Sequence, residues 1–298
     1  MSVQIIGGGA VGLLVASFLA EQNVSVTIIT RREEQASSLN EGGLYRNNID
    51  GSTINVEVVA STAPVSQASL VIIATKYTEL HAIYPMLKKL SPDVPLLFLQ
   101  NGLAHYEEAL LLPQRHIAFC SAQFGALKEN DNTVSHRGIG VLKTAIERGD
   151  EGRFSILKEM NQKNFPVTFE GNAEQILFEK VLLNCFINPL TAILKVKNGE
   201  LVSNPNALKL LHALYNELMH AFPYMQKIFP FEEVERLCVQ TAENTSSMLA
   251  DRLAGRKTEI ETIVGAVLKK AGKKGHAIPT LETLYGLIKA MEESGESS

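Results

Sequence analysis

Apolar and polar positions follow two regimes along the chain. Residues 2–6 (SVQII) read as a short buried strand, followed by a glycine-rich turn and then Val11, Leu13, Leu14, Phe18 and Leu19 at helical spacing. Residues 24–29 read as the next strand, so the first segment is a βαβ unit of about 30 residues, the size of the opening crossover of a doubly wound sheet. Asn23 stands between helix and strand, where a left-handed residue is often needed and Asn tolerates it. Apolar runs at residues 70–74 and 96–99 recur with helical segments between them, the alternation that produces a parallel sheet covered on both faces. Residues 117–119 and 141–146 extend the series. A strand at residues 167–169 runs into Glu170, Gly171 and Asn172, a turn-rich stretch that marks the expected boundary between domains at residues 1–171 and 172–298.

Beyond that point the period becomes helical. A long apolar helix is predicted from Ala173 through Leu194, another over residues 208–222, and a third over residues 259–271. In the third, Ile260, Ile263, Val264, Val267, Leu268 and Ala271 keep the rhythm of one buried face. The expected architecture is therefore α/β, an N-terminal Rossmann-type doubly wound parallel sheet with a C-terminal all-helical domain. Only the tail after Met291 reads as disordered.

Composition narrows the classes of function. A chain of 298 residues with 45% hydrophobic and 20% charged positions suits a globular protein of two domains. A formal net charge of -4 argues against nucleic acid as a principal partner, while leaving room for a local basic pocket. Cys120, Cys185 and Cys238 have no metal-like or CxxC spacing, and the seven histidines form no HExxH pair. No metal site is expected, and a reduced cytoplasmic setting fits best. The apolar run from Ala10 to Ala20 lacks a preceding basic segment and falls far short of the ~20 residues that span a bilayer, so neither export nor a membrane partner is expected.

The glycine turn carries the first chemistry. Gly7-x-Gly9-x-x-Gly12 sits between a strand and a helix, where the first glycine permits the tight turn, the second lets backbone approach a pyrophosphate, and the third allows close helix packing. Gly7, Gly8, Gly9, Ala10, Val11 and Gly12 are the expected dinucleotide cradle, with the helix N-terminus facing negative charge. Enzymes that use NAD place an acid at the end of the second strand to bind the ribose 2′-hydroxyl. Here that strand ends in Thr30, Arg31 and Arg32, and guanidinium groups suit a 2′-phosphate, which favours NADP(H). Glu33 and Glu34 alongside keep open the alternative that both arginines are solvated surface charges.

The second candidate lies on the long apolar helix. Lys180, Asn184 and Asn188 stand four residues apart on one face, drifting by only ~40° per step in a helix that turns ~100° per residue. Such a polar line satisfies itself as a buried hydrogen-bonded network, lines a pocket, or lets Lys180 snorkel to solvent. Carbonyl reduction by a nicotinamide hydride develops charge on oxygen and needs a proton donor. Lysine ordinarily titrates near ~10.4, and partial burial lowers that value, so Lys180 is the candidate general acid.

At residues 180–193 (KVLLNCFINPLTAI) the chain closely resembles the ketopantoate reductases (2-dehydropantoate 2-reductases). The likeness runs through IIGGGAVG at residues 5–12, ATK at 74–76, QNG at 100–102, NGEL at 198–201, AENTSSML at 242–249 and GRKTEI at 255–260. It implies reduction of 2-dehydropantoate to pantoate by NADPH, a cytosolic step toward pantothenate and coenzyme A, with the active site in a cleft between the two domains. It also implies Lys180 as proton donor, Asn184, Asn188, Asn198 and Ser247 as substrate ligands with Asn244 in support, and Asn101 touching both nicotinamide and substrate. Lys76, Ala126 and Glu259 are implied to lie against the cofactor or to close the site, and a homodimer through the helical domain is implied by the family alone.

Other readings of these residues stay open. Asn101 is also a common turn residue, and Leu103-Ala104 departs from the x-Gly that often follows the NG pair in the family. Glu259 equally offsets a helix dipole, in a segment where Thr258 and Glu261 have capping-box spacing, and Asn244 with Ser247 are one turn apart as on an ordinary helix surface. The rival functions are reduction of a different 2-oxo acid and a non-catalytic NADP(H) sensor, which would have no need of a proton donor.

Overall fold

The structure is a computed structural model that describes residues 2–63 and 68–294. Contacts divide the chain into two compact units, Met1–Gln100 with His105–Leu177, and Asn101–Ala104 with Phe178–Ser298.

The first unit contains β1 (Ser2–Ile6), α1 (Ala10–Glu21), β2 (Ser25–Ile29), α2 (Glu33–Gly42), β3 (Leu44–Asn47), β4 (Thr53–Val56), β5 (Val59–Ser61) and β6 (Leu70–Ile73). It continues with α3 (Tyr77–Leu87), β7 (Leu96–Phe98), α4 (Ala104–Ala109), β8 (Ile117–Ala122), β9 (Gly125–Lys128), β10 (Thr133–Gly138), β11 (Leu142–Arg148), α5 (Ile156–Glu159) and β12 (Val167–Glu170). Eight strands form one sheet in the order β12-β11-β8-β7-β6-β1-β2-β5. Every neighbouring pair is parallel except β8 with β11. The central strands β6, β7 and β8 are buried at every position, which is why they read as unbroken apolar runs. Asn23 takes the expected left-handed conformation at φ 60°.

A second sheet, β4-β3-β10-β9, departs from the expectation of one parallel sheet. Its strands are short and mostly half-buried, so their alternation is weak in sequence. Helix α1 packs against strands of both sheets, which explains an apolar helix with little polar face. Arg46 of β3 is buried against it, with its guanidinium 3.7 Å from the Phe18 ring centroid and an ion pair to Glu21 at 2.7 Å. The charge is thus paired and stacked rather than isolated.

The second unit is helical. It comprises most of α6 (Ala173–Leu194), then α7 (Glu200–Ser203), α8 (Pro205–Ala221), α9 (Phe231–Gln240), α10 (Ser247–Leu253), α11 (Ala266–Lys273) and α12 (Pro279–Glu293). Helix α6 alone among the described residues is long and apolar enough to cross a membrane, and 78% of its apolar window is buried within the protein. Phe178, Val181, Leu182, Cys185, Phe186 and Leu190 of α6 build the core with Leu211, Leu214 and Leu218 of α8 and with Ile263, Val264 and Val267. Asn204 caps α8, accepting from the backbone of Asn206 and Ala207, and Pro205 fills the first turn. The expected helix over residues 259–271 forms with a π-helical turn at Glu261–Gly265 leading into α11. The capping box does not form. Glu261 turns to Tyr285 and Lys289 of α12, and Glu292 from the same helix takes the Thr258 backbone N–H instead. Glu292 and Glu293, expected in a disordered tail, are thus helical, while residues 295–298 lie outside the described residues.

Candidate active site

The strand order reverses at β1, whose neighbours β2 and β6 carry the chain in opposite directions across the sheet. Ligands bind at the carboxyl ends of strands at such a switch point. The glycine loop follows β1 there, and Thr75 and Lys76 follow β6.

The four glycines of the loop differ in what demands them. Gly7 has φ +118°, and a Cβ there would lie 2.9 Å from the Ala74 carbonyl. At Gly12 a Cβ would stand 2.0 Å from the Gly7 oxygen, so packing of α1 onto the loop requires its absence. A Cβ at Gly8 would meet the Gln35 side chain, whose Nε2 donates to the Gly8 carbonyl at 2.8 Å. Gly9 is the exception: apart from its own chain neighbours, no atom of the described residues lies within 4 Å of a Cβ built there. It is the N-cap of a twelve-residue helix and makes no side-chain cap hydrogen bond. Open space at a bare helix N-terminus, next to Ala10 and a half-buried Val11, fits a bound pyrophosphate.

Around the loop, Gln100 donates to the carbonyls of Ile73 and Thr75, both at 3.0 Å, and stiffens the end of β6. Lys76 is exposed at the N-cap of α3. Arg31 is exposed, its side chain retaining 83% accessibility, and pairs with Glu79 at 3.1 Å. Arg32 pairs with Asp131. Ala126 lies on β9 and packs on the core of this unit. Gln35 and Asp131 escaped sequence reasoning because no motif contains them.

In the helical unit the polar line separates into pairs. Half-buried Lys180 is drawn down to about 8 by burial, while the carboxylate of Glu259 pulls its pKa upward. Glu259 Oε2 also accepts from Asn101 Nδ2 at 3.1 Å, so three predicted site residues, far apart in sequence, come together. Gly102 holds this arrangement: its φ is +89°, a Cβ would meet the Thr262 carbonyl at 2.5 Å, and Leu103 donates to that carbonyl at 3.2 Å. The turn therefore closes with Leu103-Ala104 in place of x-Gly.

Asn184 is half-buried on the same face of α6. One turn on, Asn188 is buried and donates to Ser247 Oγ at 3.4 Å, the first residue of α10. Ser246, not Ser247, caps that helix, and it shares a 2.7 Å hydrogen bond with Thr191 of α6. Asn244 precedes the helix rather than lying on it, and its carbonyl accepts from the Asn198 backbone. Asn198 is buried with Nδ2 donating to Thr241 at 3.0 Å and Oδ1 lacking a hydrogen-bond partner among the described residues. Thr191, Thr241 and Ser246 give no sequence signal of this role beyond the capping preference of serine.

The family ketopantoate reductase PanE/ApbA matches residues 3–147, and its C-terminal counterpart matches residues 172–292. A 2-dehydropantoate 2-reductase of Listeria monocytogenes is 39% identical, covering 100% of this chain and 98% of its own. The crystal structure of a probable 2-dehydropantoate 2-reductase from Bacillus subtilis superimposes with a TM-score of 0.86 at 34% identity, covering 98% of this chain and 100% of that one. The ternary structure of a D-mandelate dehydrogenase with NADH and anilino(oxo)acetate has a TM-score of 0.85 at 25% identity and covers 99% of each chain. A two-part family match across nearly the whole length, together with the glycine loop and the Lys180 line, shows that the chain belongs to the ketopantoate reductase family, whose members are oxidoreductases.

Proposed function

We propose that the protein reduces the C2 ketone of 2-dehydropantoate to (R)-pantoate with NADPH, a cytoplasmic step toward pantothenate and coenzyme A. A bound nicotinamide supplies the hydride that adds to the carbonyl carbon. Lys180 Nζ donates a proton to the oxygen as charge develops there, and the basic lysine regains its proton from solvent. Glu259 favours the ammonium form, and Asn101 orients that carboxylate. Asn184, Asn188, Asn198, Asn244 and Ser247 hold the polar ends of the substrate. On the nucleotide, Gly7 to Gly12 take the pyrophosphate, Arg31 and Arg32 take the 2′-phosphate, and Lys76 and Ala126 complete its surroundings. The first unit is the nucleotide-binding domain, and the second binds substrate and forms a homodimer.

The carrying observation is Lys180: a lysine in an apolar helix, poised near neutrality and beside a carboxylate, is a costly arrangement for a purely structural residue. A second reading, a different 2-oxo acid reduced with NADH, is favoured by likeness to the NADH-bound D-mandelate dehydrogenase. A panel of 2-oxo acids assayed with NADPH and with NADH separates the two. The highest kcat/KM is expected for 2-dehydropantoate with NADPH; turnover of another acid above it, or preference for NADH, would replace this reading with the second.

A further inference from the structure

The first unit holds a charged cluster that the proposed proton transfer does not use. Alternation along β9 puts Lys128 on the same side as Ala126, which packs on the core, while Leu127 points outward at 46% exposure. Asp131, in the turn between β9 and β10, accepts from Lys128 Nζ at 3.0 Å and from Arg32 on the same oxygen, Oδ1. Its backbone carbonyl accepts from Gln35 Nε2 at 3.0 Å, and that nitrogen also bonds the Gly8 carbonyl. The turn is therefore tied both to the glycine loop and to the residues after β2, where a Rossmann fold reads the adenosine ribose. Two cations converge on one carboxylate, leaving a positive surplus, while Arg31, next to Arg32 in the chain, is held by Glu79.

We propose that Lys128 is a specificity-determining ligand for the 2′-phosphate of the nucleotide, acting with Arg31 and Arg32, and that Asp131 Oδ1 keeps the place of a phosphate oxygen until the nucleotide arrives. This rests on the NADP reading of the site. A carboxylate oxygen and a phosphate oxygen ask the same of their donors, and the dianion satisfies the surplus charge that one carboxylate cannot. A nucleotide with a plain 2′-hydroxyl gains nothing from Lys128 and leaves Asp131 in place.

The test is calorimetric titration of the full chain with 2′,5′-ADP and with 5′-ADP. Lys128→Gln is expected to weaken 2′,5′-ADP about tenfold and to leave 5′-ADP unchanged, with the difference shrinking at high salt. Asp131→Asn, which removes the competing carboxylate, is expected to tighten 2′,5′-ADP severalfold. Equal effects of Lys128→Gln on both ligands, or no effect on either, would overturn the role of Lys128, and weaker 2′,5′-ADP binding by Asp131→Asn would overturn that of Asp131. If the unaltered protein binds 2′,5′-ADP no better than 5′-ADP, it is the NADP reading itself that fails. Binding of 5′-ADP by each variant reports that its fold is intact.

Discussion

The glycine loop and the Lys180 line are built on opposite terms. In the loop the protein works by leaving side chains out: Gly7 and Gly12 are demanded by neighbouring backbone, and Gly9 by none of the described residues packed around it. In the helical unit it works by placing polar side chains in apolar surroundings and pairing them, Lys180 with Glu259, Glu259 with Asn101, Asn188 with Ser247. The difference separates two kinds of sensitivity. Substitution in the loop splits into folding effects and ligand effects position by position, whereas substitution along the line disturbs a network whose members share partners.

The largest effect is expected at Lys180. Lys180→Ala should lower kcat by about a hundredfold or more while NADPH binding, followed by fluorescence, changes little. Turnover within a few-fold of the unaltered protein would remove the general acid and reduce the line to a core network.

Next comes the contrast within the loop. Gly12→Ala should destabilise the fold by on the order of 3 kcal/mol in chemical denaturation, because backbone must move to admit the Cβ. Gly9→Ala should leave stability unchanged and weaken nucleotide by about tenfold. Equal stability losses at both positions would show that Gly9 serves the fold, and the case for an open cradle would go.

Arg31→Ala is expected to weaken NADPH about tenfold and NADH hardly at all, with Arg32→Ala giving the smaller effect because Lys128, which shares Asp131 with Arg32, remains to meet the phosphate. A larger loss at Arg32 would reverse the assignment.

The smallest effect concerns pH. Lys180 titrates at about 8, below its unfolded value, so the ammonium needed for reduction is present below that pH and is lost above it. The rate of ketone reduction should fall above about pH 8. Since Glu259 raises the value, Glu259→Gln should move the break to lower pH by a fraction of a unit. A pH profile unmoved by this change would separate Glu259 from the proton donor.

The apolar pattern was enough to predict β1, α1, β2 and the central strands, because strands buried on both faces leave unbroken apolar runs and the glycine turn marks where α1 begins. The glycine spacing likewise announced its site, since its demands fall on residues adjacent in the chain. The four-stranded sheet, the antiparallel pairing of β11, and the replacement of Glu261 by Glu292 at Thr258 were not legible. Each depends on which distant segment lies close enough in space to satisfy a backbone or side-chain donor. Local sequence alone determined that Lys180 lies in an apolar helix and that Arg31 and Arg32 follow β2. Tertiary structure decided the rest: that Glu259 and Asn101 meet beside Lys180, and that Arg32 and Lys128 meet on Asp131. Charge and hydrogen bonding act through space, and the chain records only the order in which their carriers are strung.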